Sequence, residues 1–187
     1  MDETARATFS HWANFYVLVG SAAGALTGLQ FVVMTLVAQS NVKGGMGAIR
    51  AFASPTIVQF CSAMLISATM AAPWDTFLHP GICMAVFGAG GLVYSLATLG
   101  HARRQNGYTI VASDWFWYIS VPLIAYLGLS VEGILLAYNL RWSMFLIAPT
   151  SLVLLYLGIH NSWDTVTYVT VAHRKSQIEK EPSAGDH

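Results

Sequence analysis

The stretch ANFYVLVGSAAGALTGLQFVVMTLVA (13–38) decides the fold, because it contains no charged residue over its whole length. About 20 mostly apolar residues are enough for an α-helix to cross the hydrocarbon core of a bilayer. The stretch is too long for the apolar region of a signal peptide, which is typically about 7–15 residues. The segment before it carries Asp2 and Glu3 against a single Arg6, which is also unlike a signal peptide. The stretch is therefore predicted to be an uncleaved transmembrane helix.

Four more stretches of the same kind follow along the chain. Of its 187 residues, 55% are hydrophobic and only 10% are charged, whereas soluble domains carry about 25% charged residues. Lipid contact accounts for this composition, since the outside of a spanning bundle is apolar. The sequence predicts an all-α membrane protein with five transmembrane helices, at about 13–38, 54–73, 81–100, 115–138 and 142–160. We expect residues 1–173 to form one transmembrane domain and residues 174–187 to form a disordered cytoplasmic tail.

The distribution of lysine and arginine predicts the orientation of these helices. Cytoplasmic loops carry an excess of both residues. With the loops assigned alternately to the two sides, one side holds only Arg6 and Arg141. The other side holds Lys43, Arg50, Arg103, Arg104, Arg174, Lys175 and Lys180. This predicts an N-terminus outside and a C-terminus in the cytoplasm.

Tryptophan positions give an independent indication of a bilayer. The indole ring is apolar but its N–H requires a polar partner, so tryptophan is enriched at membrane interfaces. All six tryptophans lie at or near a predicted helix end, namely Trp12, Trp74, Trp115, Trp117, Trp142 and Trp163.

Glycines at intervals of four mark one face of the first predicted helix. Gly20, Gly24 and Gly28 form a continuous GxxxGxxxG pattern, a glycine zipper. Small residues at this spacing let two helix backbones approach closely. The pattern predicts close packing against another helix of the same chain, with a subunit contact in a homo-oligomer as the alternative.

Glu132 is the one acidic residue deep inside a predicted span. It lies about 25 Å from the cytoplasmic end of the fourth helix, at the same estimated depth as Thr150 and Ser151. Ala125 and Gly128 lie on its helix face, and small neighbours indicate contact with protein rather than lipid. An intramembrane carboxyl is costly and is a functional candidate. We interpret Glu132, Thr150 and Ser151 as a transport or coupling site; the alternative is a structural hydrogen bond.

Two glutamines also lie inside predicted spans. Gln30 and Gln59 are both about 8 Å from the predicted cytoplasmic edge. Buried amides join helices by hydrogen bonds, so we interpret both as packing residues that could bond each other.

Histidines near the predicted cytoplasmic ends suggest a weaker hypothesis. His101 ends the third predicted span and His160 ends the fifth, with Asp164 four residues after His160 on the same helix face. These three residues are candidates for a metal or proton-handling site. Two histidines from different helices can also hold haem b, although no cofactor is predicted as the leading interpretation.

No short enzyme motif occurs in the chain. The sequence contains no HExxH, CxxC, P-loop or GxSxG pattern. It has no dense basic patch that would favour nucleic acid, and its formal net charge is zero. A catalytic role is therefore not predicted.

Two segments, WANFYVLVGSAAGALTGLQFVV (12–33) and IHNSWDTVTY (159–168), resemble segments of small uncharacterised multi-span proteins of the bacterial inner membrane. Together they cover under a fifth of the chain. The resemblance implies an inner-membrane location and implies no activity.

Three functional hypotheses follow. The leading one is an oligomeric ion or small-solute channel or transporter in the inner membrane. The second is a non-catalytic accessory subunit of a larger membrane complex. The third is a redox protein that binds haem or quinone. The expected partners are the lipid bilayer and either further copies of the chain or another membrane subunit.

Overall fold

The computed structural model describes residues 3–39, 45–104 and 116–178, without the side chains of 36–39, 45–54, 101–104, 168–169 and 172–178. Within these ranges nearly every residue is helical and none is in a strand, which confirms the predicted all-α class. The helices are α1 (Glu3–Gln39), α2 (Gly45–Ala71), α3 (Leu78–Arg104), α4 (Val121–Ala137) and α5 (Met144–Ile178). A π-helical turn, Phe116–Ser120, leads into α4, and a 3-10 turn, Arg141–Ser143, leads into α5.

Four helical segments of the described chain are long and apolar enough to cross a membrane. They are Glu3–Thr35, Leu78–Gly100, Phe116–Ala137 and Arg141–Thr167, and they overlap the first, third, fourth and fifth predicted spans. The second predicted span, 54–73, overlaps a shorter apolar helix, Pro55–Ala71, at the end of α2. Several apolar helices of this length are compatible with a multi-pass membrane protein.

Helix α5 extends well beyond the predicted fifth span. It continues to Ile178, because no glycine or proline interrupts the sequence between Gly158 and Pro182. The segment predicted as a disordered tail, 174–187, is therefore helical as far as Ile178. Residues 179–187 lie outside the described ranges.

The helices pack as two antiparallel pairs with a fifth helix against them. The most extensive contacts join α1 to α2 and α3 to α4, while α5 packs mainly on α2 and also contacts α4 and α1. Direct contact between α2 and α3 is slight. Helix α5 therefore links the two pairs.

The closest approach of two helices lies between α3 and α4 and depends on glycine. A Cβ atom on Gly81 would lie 2.7 Å from the carbonyl oxygen of Gly133, and one on Gly88 would lie 2.5 Å from the backbone nitrogen of Ser130. A larger residue at either position would collide with the opposite backbone. Close backbone contact of this kind increases the van der Waals attraction between two helices.

A short turn joins α4 to α5. Asn139 adopts a left-handed conformation with φ 64°. The backbone N–H of Leu140 donates to the carbonyl of Leu135, and that of Asn139 donates to the carbonyl of Leu136. These two bonds form a Schellman motif, which ends a helix and satisfies carbonyls that would otherwise lack partners.

The start of α1 and two of the connections between helices lie at one end of the bundle. Near the start of α1, the Arg6 guanidinium forms an ion pair with Asp75 in the α2–α3 loop. The guanidinium of Arg141, in the α4–α5 turn, lies 6.0 Å from the ring centroid of Phe77 in the same loop. The start of α1, the α2–α3 loop and the α4–α5 turn therefore share this end.

The bundle is apolar outside and partly polar inside. Large apolar side chains such as Leu18, Val93 and Ile124 are about 70% exposed. Polar side chains are meanwhile buried in the interior, including Gln30, Gln59, Glu132 and Asn161. This distribution is the reverse of that in a soluble protein. The buried polar side chains form the candidate site.

Candidate functional site

Glu132 lies inside the bundle and bonds to the neighbouring helix. Its side chain is only 7% exposed, and its Oε1 atom accepts a hydrogen bond of 2.9 Å from the hydroxyl of Thr150 on α5. The structure thus brings together two of the three residues that the sequence placed at this depth. The third, Ser151, is buried but donates to the carbonyl of Ala148 on its own helix at 2.6 Å.

The small neighbours of Glu132 explain how its side chain fits. A Cβ atom added to Gly128 would lie 3.5 Å from Oε1 of Glu132, so the carboxyl extends back over Gly128 toward the start of α4. Helical side chains lean toward the helix N-terminus in this way. Ala125, one turn earlier, is also buried, as its predicted protein-facing position requires.

The second carboxylate oxygen has no hydrogen-bond partner among the described residues. Oε2 of Glu132 is buried and unpaired, and so are the hydroxyls of Tyr16 on α1 and Ser67 on α2. The phenol of Tyr16 is within electrostatic range of Glu132. Arg6 and Arg141, the two arginines whose side chains the structure describes, are exposed. No basic side chain that the structure describes is therefore buried beside this carboxyl.

Sequence reasoning missed Tyr16 as a residue of this region. Depth along a helix predicts which residues share a level in the membrane, but it does not predict which way each side chain points. A buried tyrosine normally finds a partner for its hydroxyl. The position of Tyr16 along α1, level with Glu132, was the one feature of the sequence that could have predicted this proximity.

A second polar layer joins three helices nearer the other end. Gln59 on α2 accepts a 2.9 Å bond from the Asn161 amide on α5, and Gln30 on α1 accepts a 2.9 Å bond from the Ser162 hydroxyl. Gln30 and Gln59 therefore bond to adjacent residues of α5 and not to each other as the sequence had suggested. These two hydrogen bonds join α1 and α2 to α5.

The predicted glycine face of α1 is in close contact with α2 only at Gly20, the first of its three glycines. A Cβ atom on Gly20 would lie 2.9 Å from Cβ of Ser67, whereas one on Gly24 would meet only the sulfur of Met64, at 3.8 Å. Gly28 is exposed, and no described atom lies within 4 Å of the position that its Cβ would take. The tightest glycine contacts are those between α3 and α4. The small residues Gly81, Ala85 and Gly88, at intervals of four and three, are the sequence pattern that could have predicted them.

The candidate group of His160 and Asp164 lies beside the π-helical turn. His160 Nδ1 is 3.4 Å from Asp164 Oδ2, and the Tyr118 hydroxyl donates to the same oxygen at 3.4 Å. The Trp117 ring stacks on His160 with 4.5 Å between centroids. The side chain of His101 lies outside the described set, and the described side chains contain no group of three that could hold a metal ion.

Comparisons with protein-family models, with curated proteins and with solved structures found no match to this chain.

Proposed function

We propose that the chain crosses a bacterial inner membrane five times, with its N-terminus outside and its C-terminus in the cytoplasm. Support for the second crossing comes from the 27 residues of α2, which extend over about 40 Å. Five alternating spans would place the start of α1, the α2–α3 loop and the α4–α5 turn at one end of the bundle, which is where they lie. The excess of lysine and arginine at the opposite end supports the orientation.

Within that membrane the protein serves as an oligomeric transporter or channel for a proton or small cation, with Glu132 as its coupling residue. The observation that carries this proposal is the buried carboxyl, with one oxygen bonded to Thr150 and the other without a partner among the described residues. An isolated ionised carboxylate is costly in a medium of low dielectric constant. A proton or a cation removes that cost, so the charge of the site changes with its occupancy.

The surroundings of Glu132 favour an occluded carrier over a permanently open pore. The side chain is 7% exposed, and Oε2 is buried. A bound ion would thus be shielded from both sides in this conformation. Exchange with water requires a movement of the helices around it, as expected for alternating access.

Flux measurements on reconstituted vesicles test this function. Glu132→Gln keeps the size of the side chain but removes its charge, so proton or cation flux should be lost while the protein still folds. The control is Glu3→Gln, the same chemical change at an exposed residue at the start of α1, which should keep wild-type flux. Wild-type flux through Glu132→Gln at every pH would contradict the proposal.

The two alternatives are distinguished with the same preparation. A stable heteromer in mild detergent, without flux, would support an accessory subunit. A Soret band would support the redox hypothesis, in which His160 would have to leave its stacking contact with Trp117 to bind haem.

A further inference from the structure

The helices divide into two groups that the chain connects at one end of the bundle. Helices α1, α2 and α5 form the three-helix unit, and α3 and α4 form the two-helix unit. Along the described helices the chain passes between the units twice, in the α2–α3 loop and in the α4–α5 turn. Both connections lie at the end where Arg6 pairs with Asp75 and Arg141 lies near Phe77. The covalent connections between the units therefore share this end, the joined end.

Each unit is tightly packed within itself. In the two-helix unit, a Cβ atom on Gly81 or Gly88 would collide with the opposite backbone. In the three-helix unit, α1 and α2 make extensive contact, and a Cβ atom on Gly158 of α5 would lie 2.9 Å from Cζ of Phe60 on α2. Close-packed interfaces leave few voids into which side chains can move. We therefore treat each unit as a rigid body.

The seam between the units, made of the α2–α3 and α4–α5 interfaces, is looser. Direct contact between α2 and α3 is slight, and α5 contacts α4 less extensively than it contacts α2. A groove of about 250 Å³ opens between α2 and α3, with Leu65 and Val86 on its opposite walls. Motion between elements is favoured where packing is sparse, so the seam is the natural place for it.

Described hydrogen bonds cross the seam at three levels along the fourth helical segment. The bond of Glu132 to α5 is nearest to the joined end. Tyr126 precedes Glu132 by six residues, or about 9 Å, and its hydroxyl lies 2.9 Å from that of Ser62. Tyr118 precedes Tyr126 by eight residues, or about 12 Å, and its bond to Asp164 is long, at 3.4 Å. A bond of that length is weak, so the described bond farthest from the joined end is also the weakest.

We propose that the two-helix unit rotates as a rigid body about the joined end and opens the seam at the opposite, cytoplasmic end, so that water reaches Glu132. This inference rests on the proposed function, for which it supplies the open state. Rotation about one end displaces each group in proportion to its distance from that end. The bonds of Tyr118 and Tyr126 therefore break, while α3 and α4 keep their close contact. Hinge motion around a ligand site is a common form of conformational change.

The charge on Glu132 decides which state is favoured. In the closed bundle an ionised carboxylate would have one described hydrogen bond, from Thr150, and no described basic side chain beside it. Such a charge is costly away from water, and opening the seam hydrates it. The seam bonds broken on opening are replaced by bonds to water, so their loss opposes the motion little. A neutral carboxyl gains much less from hydration and leaves the bundle closed.

Thiol labelling tests the opening without reference to transport. Ala125→Cys, in a background without the native cysteines, places a thiol on the buried face of α4 that carries Glu132. An impermeant thiol reagent added on the cytoplasmic side should label it at least tenfold faster than Ser67→Cys. The control thiol is equally buried, but it lies against Gly20 inside the three-helix unit. Adding Glu132→Gln should slow labelling of Ala125→Cys to the rate of the control.

A reversible cross-link tests whether transport needs the seam to open. Val58 of α2 and Ser95 of α3 line the same narrow crevice in the seam. A short bis-methanethiosulfonate linker between Val58→Cys and Ser95→Cys should reduce flux at least tenfold, and reduction of the linker should restore it. The control joins Gly24→Cys to Met64→Cys within the three-helix unit, where a Cβ atom on Gly24 would lie 3.8 Å from the Met64 sulfur. This cross-link should leave flux unchanged.

The outcomes separate the hinge from the proposed function. Equal labelling rates for Ala125→Cys and Ser67→Cys in a protein that transports would overturn the hinge, as would full flux through the cross-linked seam. Labelling of Ala125→Cys from the outer side alone would overturn the proposed direction of opening. Labelling as expected in a protein that passes no ion would contradict the proposed function while the hinge stands. The cross-link keeps the hinge testable if Ala125→Cys fails to fold.

Discussion

The hydroxyl of Thr150 donates a 2.9 Å hydrogen bond to Oε1 of Glu132 and so joins α5 to α4 inside the apolar bundle. Since Oε2 is unpaired, this bond is the one described direct polar contact that orients the carboxyl. The position of the carboxyl therefore depends on Thr150.

Thr150→Val tests this dependence, because valine keeps the shape of threonine and removes its hydroxyl. We expect a loss of about 1–2 kcal/mol in stability, typical of an unmade buried hydrogen bond, and a change in the apparent cation affinity. Thermal unfolding and flux against cation concentration measure the two effects. Thr170→Val is the matched control on the same helix, since the Thr170 hydroxyl is exposed and donates to its own backbone at Val166. Equal behaviour of the two variants would contradict an orienting role for Thr150.

Gly88 and Gly28 should differ sharply in their tolerance of a methyl group. Gly88→Ala places a Cβ atom 2.5 Å from the Ser130 backbone nitrogen, so α3 and α4 must separate, at an expected cost on the order of 3 kcal/mol. Gly28→Ala meets nothing within 4 Å and should leave the stability of the monomer within about 1 kcal/mol of the wild type or raise it. Detergent unfolding of the two variants makes the comparison. A Gly28→Ala variant as unstable as Gly88→Ala would show a contact at α1 that the single chain lacks.

The bond between Gln59 and Asn161 should have a measurable coupling energy. Gln59→Leu leaves the Asn161 amide without its 2.9 Å partner, and we expect a loss of about 1 kcal/mol. The double variant Gln59→Leu/Asn161→Leu should lose less stability than the sum of the losses in the two single variants, because it leaves neither amide unpaired. A double-mutant cycle of unfolding free energies gives the coupling, and strict additivity would mean that the bond contributes nothing.

The ion pair of Arg6 and Asp75 makes a prediction about pH. The hydrogen bond from the Arg6 guanidinium holds the pKa of the Asp75 carboxyl below its usual value. A lowered pKa in the folded state means that the pair contributes above the ordinary pKa of about 3.9 and is lost as pH falls through the lowered pKa. Arg6→Gln should therefore raise the pKa of Asp75, which an NMR titration of its carboxyl carbon detects. Arg141→Gln, at the same end of the bundle, should leave that pKa unchanged.

Thiol labelling tests the topology. In a background without Cys61 and Cys83, cysteines at Leu78 and Asn106 should react from opposite sides of the membrane. Leu78→Cys should react with an impermeant reagent from outside, and Asn106→Cys only after permeabilisation. The same sidedness for both would rule out five spans in the proposed orientation.

Heights along the helix axes were predictable from the sequence, but directions around each helix were not. Counting 1.5 Å per residue along each span placed Glu132 level with Thr150, and the structure joins them. The same count placed Gln30 level with Gln59, yet each bonds to α5 instead. Height alone did not indicate that α5 packs beside both α1 and α2. Loop lengths restrict which helices can be neighbours, but they do not determine how each helix is rotated about its own axis.

The tight turn at Asn139 has a consequence for how the protein enters the membrane. Only the Schellman turn and a 3-10 turn separate α4 from α5, so the proposed topology requires the two helices to enter the membrane close together. We expect them to leave the translocation machinery together as a helical hairpin. Glu132, shortly before the turn, and Thr150, shortly after it, would then reach the lipid at the same time. The nascent carboxyl would already have its hydrogen-bond donor beside it during biosynthesis.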